Sequence, residues 1–378
     1  MNMETHENIP YSKLWWETLA GPSRLCHEIC EGLLENKHIL IEDAHQIPWK
    51  PELRDDYCNP RITGAYANAD IVLLDDKDIA TDGSSIGQYL LNKCTCVSAN
   101  VKSSYRASSG KTIEQFLIEK RALTNKVYWV KDIHFKRMGE WISFLTKFNG
   151  EGIHDGLFVL EHSAHNVNHL PPNVKQVLFC ELVHSYDYYT FCCQLTLRFS
   201  DVTSFIYHKY SSTLLYNLCE MNTKTMIGIL ENCIHTLINK DPKDFLPFFH
   251  NQIIDEPLII SRIWKTQIQE LFPILENGRI EFIERYKSEL MNAWNNPSCS
   301  SIRENRNGEQ REGIYDLEIA DLRYLIKSWK IHVPSKNDRN KIELIYNSRN
   351  KLAHHSLCSP EEVSIILDVS FPFFLTVK

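Results

Sequence analysis

No run of the chain is apolar enough over enough residues to cross a bilayer. Nor does it open on a basic stretch followed by an apolar core. Its first residues, "MNMETHENIPYSK", are polar and acidic, so no secretory leader is expected and the protein should be cytoplasmic. None of its 12 cysteines stands in Cys-x-x-Cys spacing, which removes a common structural zinc pattern. They lie in apolar runs such as "QVLFCELV" and "YTFCCQLTL", where a thiol is expected to pack as a small reduced hydrophobe. A cationic excess is also missing. A net charge of −7 argues against a general nucleic-acid binder, which would normally be basic. No internal repeat is visible.

What is present is the composition of a soluble globular protein, 43% hydrophobic and 24% charged. At 378 residues one ordinary core is too small, and two domains are expected. Residues 1–250 read as α/β. The strand-length apolar runs are "HILIEDA", "ADIVLLD", "KCTCVSANV", "KVYWVKDI", "DGLFVLEHS" and "VKQVLFCEL". Between several of them lie helical patterns: "SSIGQYLLN", "TIEQFLIEKRALTN" and "RMGEWISFLTKFNG". Strands apolar throughout, alternating with helices, predict a mostly parallel sheet covered on both faces. Helix dominates from about Ser211, and the proline-rich "DPKDFLPFFH" marks the expected boundary. Residues 251–378 read as an all-α bundle. Pro273 and Gly278 should kink or divide its first long helix. The polar "NNPSCSSIRENRNGEQREG" predicts a flexible loop. Asp316 and Asp338 are placed to cap or charge helix starts, and Ser359-Pro360-Glu361-Glu362 spells a capping box.

Three groups of residues invite chemistry. In "SYRASSGKTIEQFL", Gly110-Lys111-Thr112 is similar to the end of a phosphate-binding loop, in which backbone N–H groups wrap phosphates. Tyr105 stands where that loop needs its first glycine. Glu161, ending "DGLFVLEHS", resembles the acidic strand end that supports magnesium in P-loop ATPases. The front domain therefore resembles a degenerate P-loop NTPase serving as sensor or scaffold, with Gly110, Lys111 and Thr112 as its weak cofactor contacts. No cofactor is expected to be resident. A second anion pocket, "LAGPSRLCHEI" with Gly21 and Ser23, is equally well explained by helix capping. In "LEHSAHNVNHL", His162, His165 and His169, with Glu161 or His184, could gather zinc. A solvated loop is the simpler reading, so no metal is predicted.

The third group ends an apolar helical pattern. "RNKLAH", Arg349 to His354, resembles the RNxxxH motif of HEPN domains, and the likeness extends loosely over residues 257–370. HEPN domains are small helical bundles, many of them metal-independent endoribonucleases that work as dimers with facing motifs. The resemblance implies that Arg349 clamps phosphate, Asn350 orients the site and His354 is the acid–base group. His355 is a second candidate for that role. The chemistry suits: a guanidinium holds a phosphate in two-pronged fashion, and imidazole exchanges protons near neutral pH. Cations at a helix C-terminus also suit the macrodipole with no catalytic purpose.

The expected function is a metal-independent endoribonuclease of a prokaryotic toxin–antitoxin or anti-phage (antiviral) defence system. It would be a homodimer acting on RNA, with a protein partner and no membrane, regulated by its front domain. The alternative is a non-enzymatic scaffold subunit using an inactive HEPN-like bundle for assembly.

Overall fold

The structure, a computed structural model, describes residues 9–66, 69–93, 99–105, 110–163, 167, 169–199, 204–249, 254–304 and 307–368. The chain divides into two compact units, residues 1–187 and 188–378.

The first unit is built on five parallel strands in the order β2-β3-β4-β1-β5. These are β1 (His38–Glu42), β2 (Asp70–Asp75), β3 (Lys126–Ile133), β4 (Leu157–His162) and β5 (Val174–Leu178). Every residue of β1 and β4 is buried, which is why both read as unbroken apolar runs rather than alternating ones. Three helices matter below: α1 (Ala20–Leu34), α2 (Ile113–Glu119) and α3 (Met138–Lys147). On one face of the sheet, Leu40, Tyr128, Val130, Phe158 and Leu160 pack with Trp141, Phe144 and Phe148 in one apolar cluster. Against β1, α1 brings Gly32 so close that a side chain there would collide with Ile39.

Five of the six expected strands are present. In the sixth, "KCTCVSANV" (residues 93–101), residues 99–101 begin the helix Ala99–Ser104 and residues 94–98 lie outside the described residues.

The second unit is helical, with α4 (Phe205–Cys219), α5 (Glu256–Arg285), α6 (Ile319–Lys327), α7 (Lys336–Ala353) and α8 (Pro360–Leu367). It takes in helices that the sequence pattern assigned to the front. The reason is that α4 packs on α5. Asn217 donates to Thr266 and Gln269 at 3.0 and 2.8 Å, and Thr213 donates to Glu270 at 2.9 Å. Pro273 does not divide α5. It lies exposed, and the carbonyl that loses its partner belongs to exposed Gln269, where water can satisfy it. The expected flexible loop is also anchored, because Cys299 and Ile302 are buried and Arg311 pairs with Asp321 at 2.7 Å.

On α7, Ile342, Ile345 and Leu352 form the buried stripe, each side chain worth about 1.5–3 kcal/mol on burial. Ser335 caps the helix by accepting from the Asp338 N–H, and Ser359 with Glu362 makes the expected capping box on α8. Asp338 does not cap. It is buried and bound by Tyr286 at 2.7 Å and Arg285 at 3.1 Å.

Candidate functional site

Two cationic sites emerge, one in each unit. In the first, the strands end on a common edge, the place where open parallel sheets hold ligands. The chain leaves β1 through a loop and enters a helical run at Lys50, which widens into a π turn over Leu53–Cys58 and resumes as Asn59–Ala65. Strand, loop, lysine and helix thus follow in the order a phosphate loop requires. When the Gly-x-x-x-x-Gly-Lys-Ser/Thr spacing is laid on this segment, Ala44 and Trp49 replace the glycines and Pro51 the hydroxyl. Trp49 keeps a left-handed backbone, φ 48°, a conformation that glycine adopts freely and a bulky residue adopts at a cost. Pro48 and Pro51 remove two N–H groups from the would-be cradle.

Lys50 has partners of its own. Its Nζ lies 3.1 Å from Glu161, at the end of β4, and 3.3 Å from Asp132, near the end of β3. Glu161 is almost wholly buried and also accepts from the Trp129 indole at 2.6 Å. Asp132 sits at an irregularity in β3 with φ 55°, a distortion that turns its carboxylate toward the lysine. Burial alone would depress the Lys50 ammonium, but Glu161 and then Asp132 outweigh it and hold it above its ordinary range. An incoming phosphate would have to break both pairs. This site neutralises itself.

The segment expected to bind phosphate is built differently. A helix, Ala99–Ser104, precedes Gly110-Lys111-Thr112 where a strand was expected, and residues 106–109 lie outside the described residues. Thr112 is the N-cap of α2 in a capping box with Gln115, and Lys111 pairs with Glu119 at 2.5 Å. Nor do the histidines gather among the described residues. His162 is buried with Nδ1 3.2 Å from the Ile133 carbonyl, His169 is exposed, and His165 lies outside the described residues. The Gly21 N–H is answered within the chain by Asp187 at 2.9 Å.

In the second unit the motif occupies the end of α7. Arg349 is half-buried, with its guanidinium carbon 5.7 Å from the centre of the Phe272 ring of α5. Its Nε has no hydrogen-bond partner, and no carboxylate pairs with it among the described residues. Arg262, Arg279, Arg285, Arg311 and Arg323 of the same unit all pair with carboxylates. Arg349 is thus a partly desolvated cation resting on an aromatic face.

The two histidines differ. His354 is the C-cap and is exposed. His355 takes a left-handed backbone, φ 57°, and completes a Schellman cap: its N–H donates to Leu352 at 3.3 Å, and that of Ser356 to Lys351 at 2.8 Å. Its ring stacks on Trp264 at 4.4 Å, while the Trp264 indole donates to the Leu352 carbonyl at 2.9 Å. His355 is committed to ending the helix, and His354 is left free. Toward the other end of α7, a cleft of about 310 Å³ is lined by Arg339, by Arg323 and Lys327, which both pair with Glu343 in the same lining, and by Trp329, which is 85% exposed.

Comparison with protein-family models, curated proteins and solved structures returned no match.

Proposed function

We propose that the chain is a metal-independent endoribonuclease effector whose helical unit is a HEPN-like half-site and whose front unit is a P-loop-like module that no longer turns over nucleotide. The observation that carries this reading is Arg349, a cation with no carboxylate partner among the described residues, on the last turns of the helix that the exposed His354 caps. The guanidinium holds the scissile phosphate, the imidazole exchanges the proton of the attacking 2′-hydroxyl, and a second copy of the chain supplies the facing half-site. The cleft between α6 and α7, where Trp329 stands exposed in the turn after α6, offers a surface on which a base can stack. Chains joining such an effector to a regulatory front resemble toxin–antitoxin and anti-phage defence proteins. Self-neutralised Lys50 suits a sensor or scaffold rather than a motor.

The test is cleavage of single-stranded RNA by purified protein in the presence of a chelator, with the solution mass measured alongside. A dimer should cut, and Arg349→Ala and His354→Ala should each slow it by at least about 100-fold with unchanged melting temperature. Cleavage that survives both substitutions would refute the assignment. An inert wild-type dimer that is harmless on expression would favour a second reading, a non-enzymatic scaffold, for which the closed Lys50 site also speaks.

A further inference from the structure

The first unit holds a group of residues used by neither site. Cys26 and Cys30 stand four apart on α1, so both face the same way. Cys58 closes the π turn that follows Lys50 and meets them. All three are buried free thiols, and their sulfurs lie within 4.8 Å of one another. Cys26 Sγ and Cys58 Sγ are 3.8 Å apart. Two sulfurs about 2.3 Å from one zinc ion at the tetrahedral angle are separated by about 3.8 Å, so these are already at ligand spacing. The π turn itself is informative. Such wide turns in α-helices are rare and recur at functional sites, and this one carries Cys58 at its end.

We infer that Cys26, Cys30 and Cys58 form a buried binding site for a thiophilic d¹⁰ metal ion, zinc(II) or copper(I). Soft thiolates select these ions over magnesium or calcium. Binding is coordination without redox change: the sulfurs donate electron pairs to the ion, and the thiol protons leave to solvent. The local electrostatics favour the first deprotonation. Hydrogen bonds from Cys30 and Cys58, aided by Arg61 and His27, bring the Cys26 thiol down to about 4, while Cys30 is pushed up to about 12, chiefly by its hydrogen bond with Cys26. A loaded site would tie α1 to the helical run that begins at Lys50. No fourth donor joins the three among the described residues. Copper(I) can be held by three sulfurs alone, whereas zinc(II) completes a tetrahedron with one more donor.

The experiment uses the reduced full-length protein, expressed in medium supplemented with zinc or with copper and assayed for bound metal by mass spectrometry. The metal-free protein is then titrated with cobalt(II). We expect about one ion per chain, release of that ion by a mercurial, and a near-ultraviolet thiolate-to-cobalt band, because thiolate ligation couples metal content to the sulfurs. Cys58→Ala should lose the ion and the band, whereas Cys192→Ala, a buried cysteine outside the trio, should keep both. Circular dichroism checks that each variant folds. Retention of zinc identifies a four-coordinate site, and retention of copper(I) a trigonal one. A folded wild type that carries neither ion and gives no cobalt band overturns the assignment, as does metal that persists in Cys58→Ala.

Discussion

Lys50 and Arg349 are both cations at element ends, and the chain treats them in opposite ways. Lys50 is enclosed by two carboxylates, one almost fully buried and fixed in turn by an indole. Arg349 is laid on Phe272 with its Nε unpaired. A cation answered inside the protein contributes to holding a fold, while one left unanswered and partly desolvated holds free energy that an external anion can release. On this ground the phosphate ligand of the proposed function is placed in the helical unit, although the parallel sheet is the more familiar place for one. The largest effect to look for is accordingly on RNA cleavage, where Arg349→Ala should cost at least about 100-fold and Lys50→Met should leave the rate within about 3-fold. Equal losses would erase the contrast.

The front unit's dependence on buried, internally satisfied groups gives the next effect. His38 is buried at the start of β1, where its Nδ1 accepts from the Phe158 N–H at 3.2 Å. Burial holds this imidazole down to about 4, against an ordinary value of 6.5. Between those values the unfolded chain binds a proton that the folded unit refuses, so stability rises with pH there. It is whole above about pH 6.5 and is lost as pH falls toward about 4, by up to about 3 kcal/mol. His38→Gln, if it folds, should flatten that part of the acid melting curve. A wild-type melting temperature unchanged between pH 7 and 5 would contradict the buried neutral imidazole.

Somewhat smaller is the cost of opening the Lys50 cluster. Glu161→Gln keeps an acceptor for Trp129 but removes the charge that faces the lysine, and should cost about 1–3 kcal/mol in thermal or urea unfolding. Lys50→Met should cost a similar amount, and the double substitution less than the sum, since the two remove one interaction. Pyrophosphate sharpens the comparison. It should raise the melting temperature of Glu161→Gln more than that of the wild type, because only in the variant has Lys50 lost its buried partner, while Arg349 is common to both. Equal stabilisation of the two would mean that losing Glu161 frees no cation at Lys50.

How much of this was legible in the residues depends on how local each signal is. The strands of the first unit were, because burial on both faces leaves runs such as "HILIE" and "LFVLEH" with no polar alternation. "KCTCVSANV" has the same composition, yet its end is helical, since a short apolar run has no period of its own. At Gly110-Lys111-Thr112 the likeness to a phosphate loop rested on three residues, of which Thr112 caps a helix and Lys111 pairs with Glu119. The segment Asp43 to Lys50, which has strand, loop, lysine and helix in order, carries alanine and tryptophan at the glycine spacing and so gave no motif. One signal was available: a lysine eight residues beyond the end of the strand "HILIE". The Cys26–Cys30–Cys58 group could not be read from spacing, because its third member comes from another element. The helix that ends near "RNKLAH" was legible, since a helix pattern and its cap are local. What no spacing conveyed was which histidine ends the helix and which stays free.

Two smaller substitutions test the helical half of the comparison. Trp329→Ala removes an exposed ring, so melting should move by no more than about 0.5 kcal/mol. If the cleft of Arg323, Lys327 and Arg339 carries RNA, affinity for a single strand should fall about tenfold, the usual value of one lost base stack. Unchanged binding would assign that tryptophan to another surface.

The smallest effect separates the two histidines. His355 holds a left-handed backbone at a position where helices commonly place glycine, at a cost of roughly 1 kcal/mol for a residue with a side chain. Its stack on Trp264 returns an amount of the same order. His355→Gly relieves the first and forfeits the second, so its net effect on melting should be close to zero. Because the glycine keeps the Schellman hydrogen bonds that end α7, Arg349 and His354 stay where they are, and cleavage should persist at near wild-type rate. His355→Ala keeps the backbone cost without the stack and should be the less stable of the two. If instead His355→Gly abolished cleavage while His354→Ala did not, the acid–base role would pass to His355. The ring stacked on Trp264 would then have to leave the indole to reach its substrate.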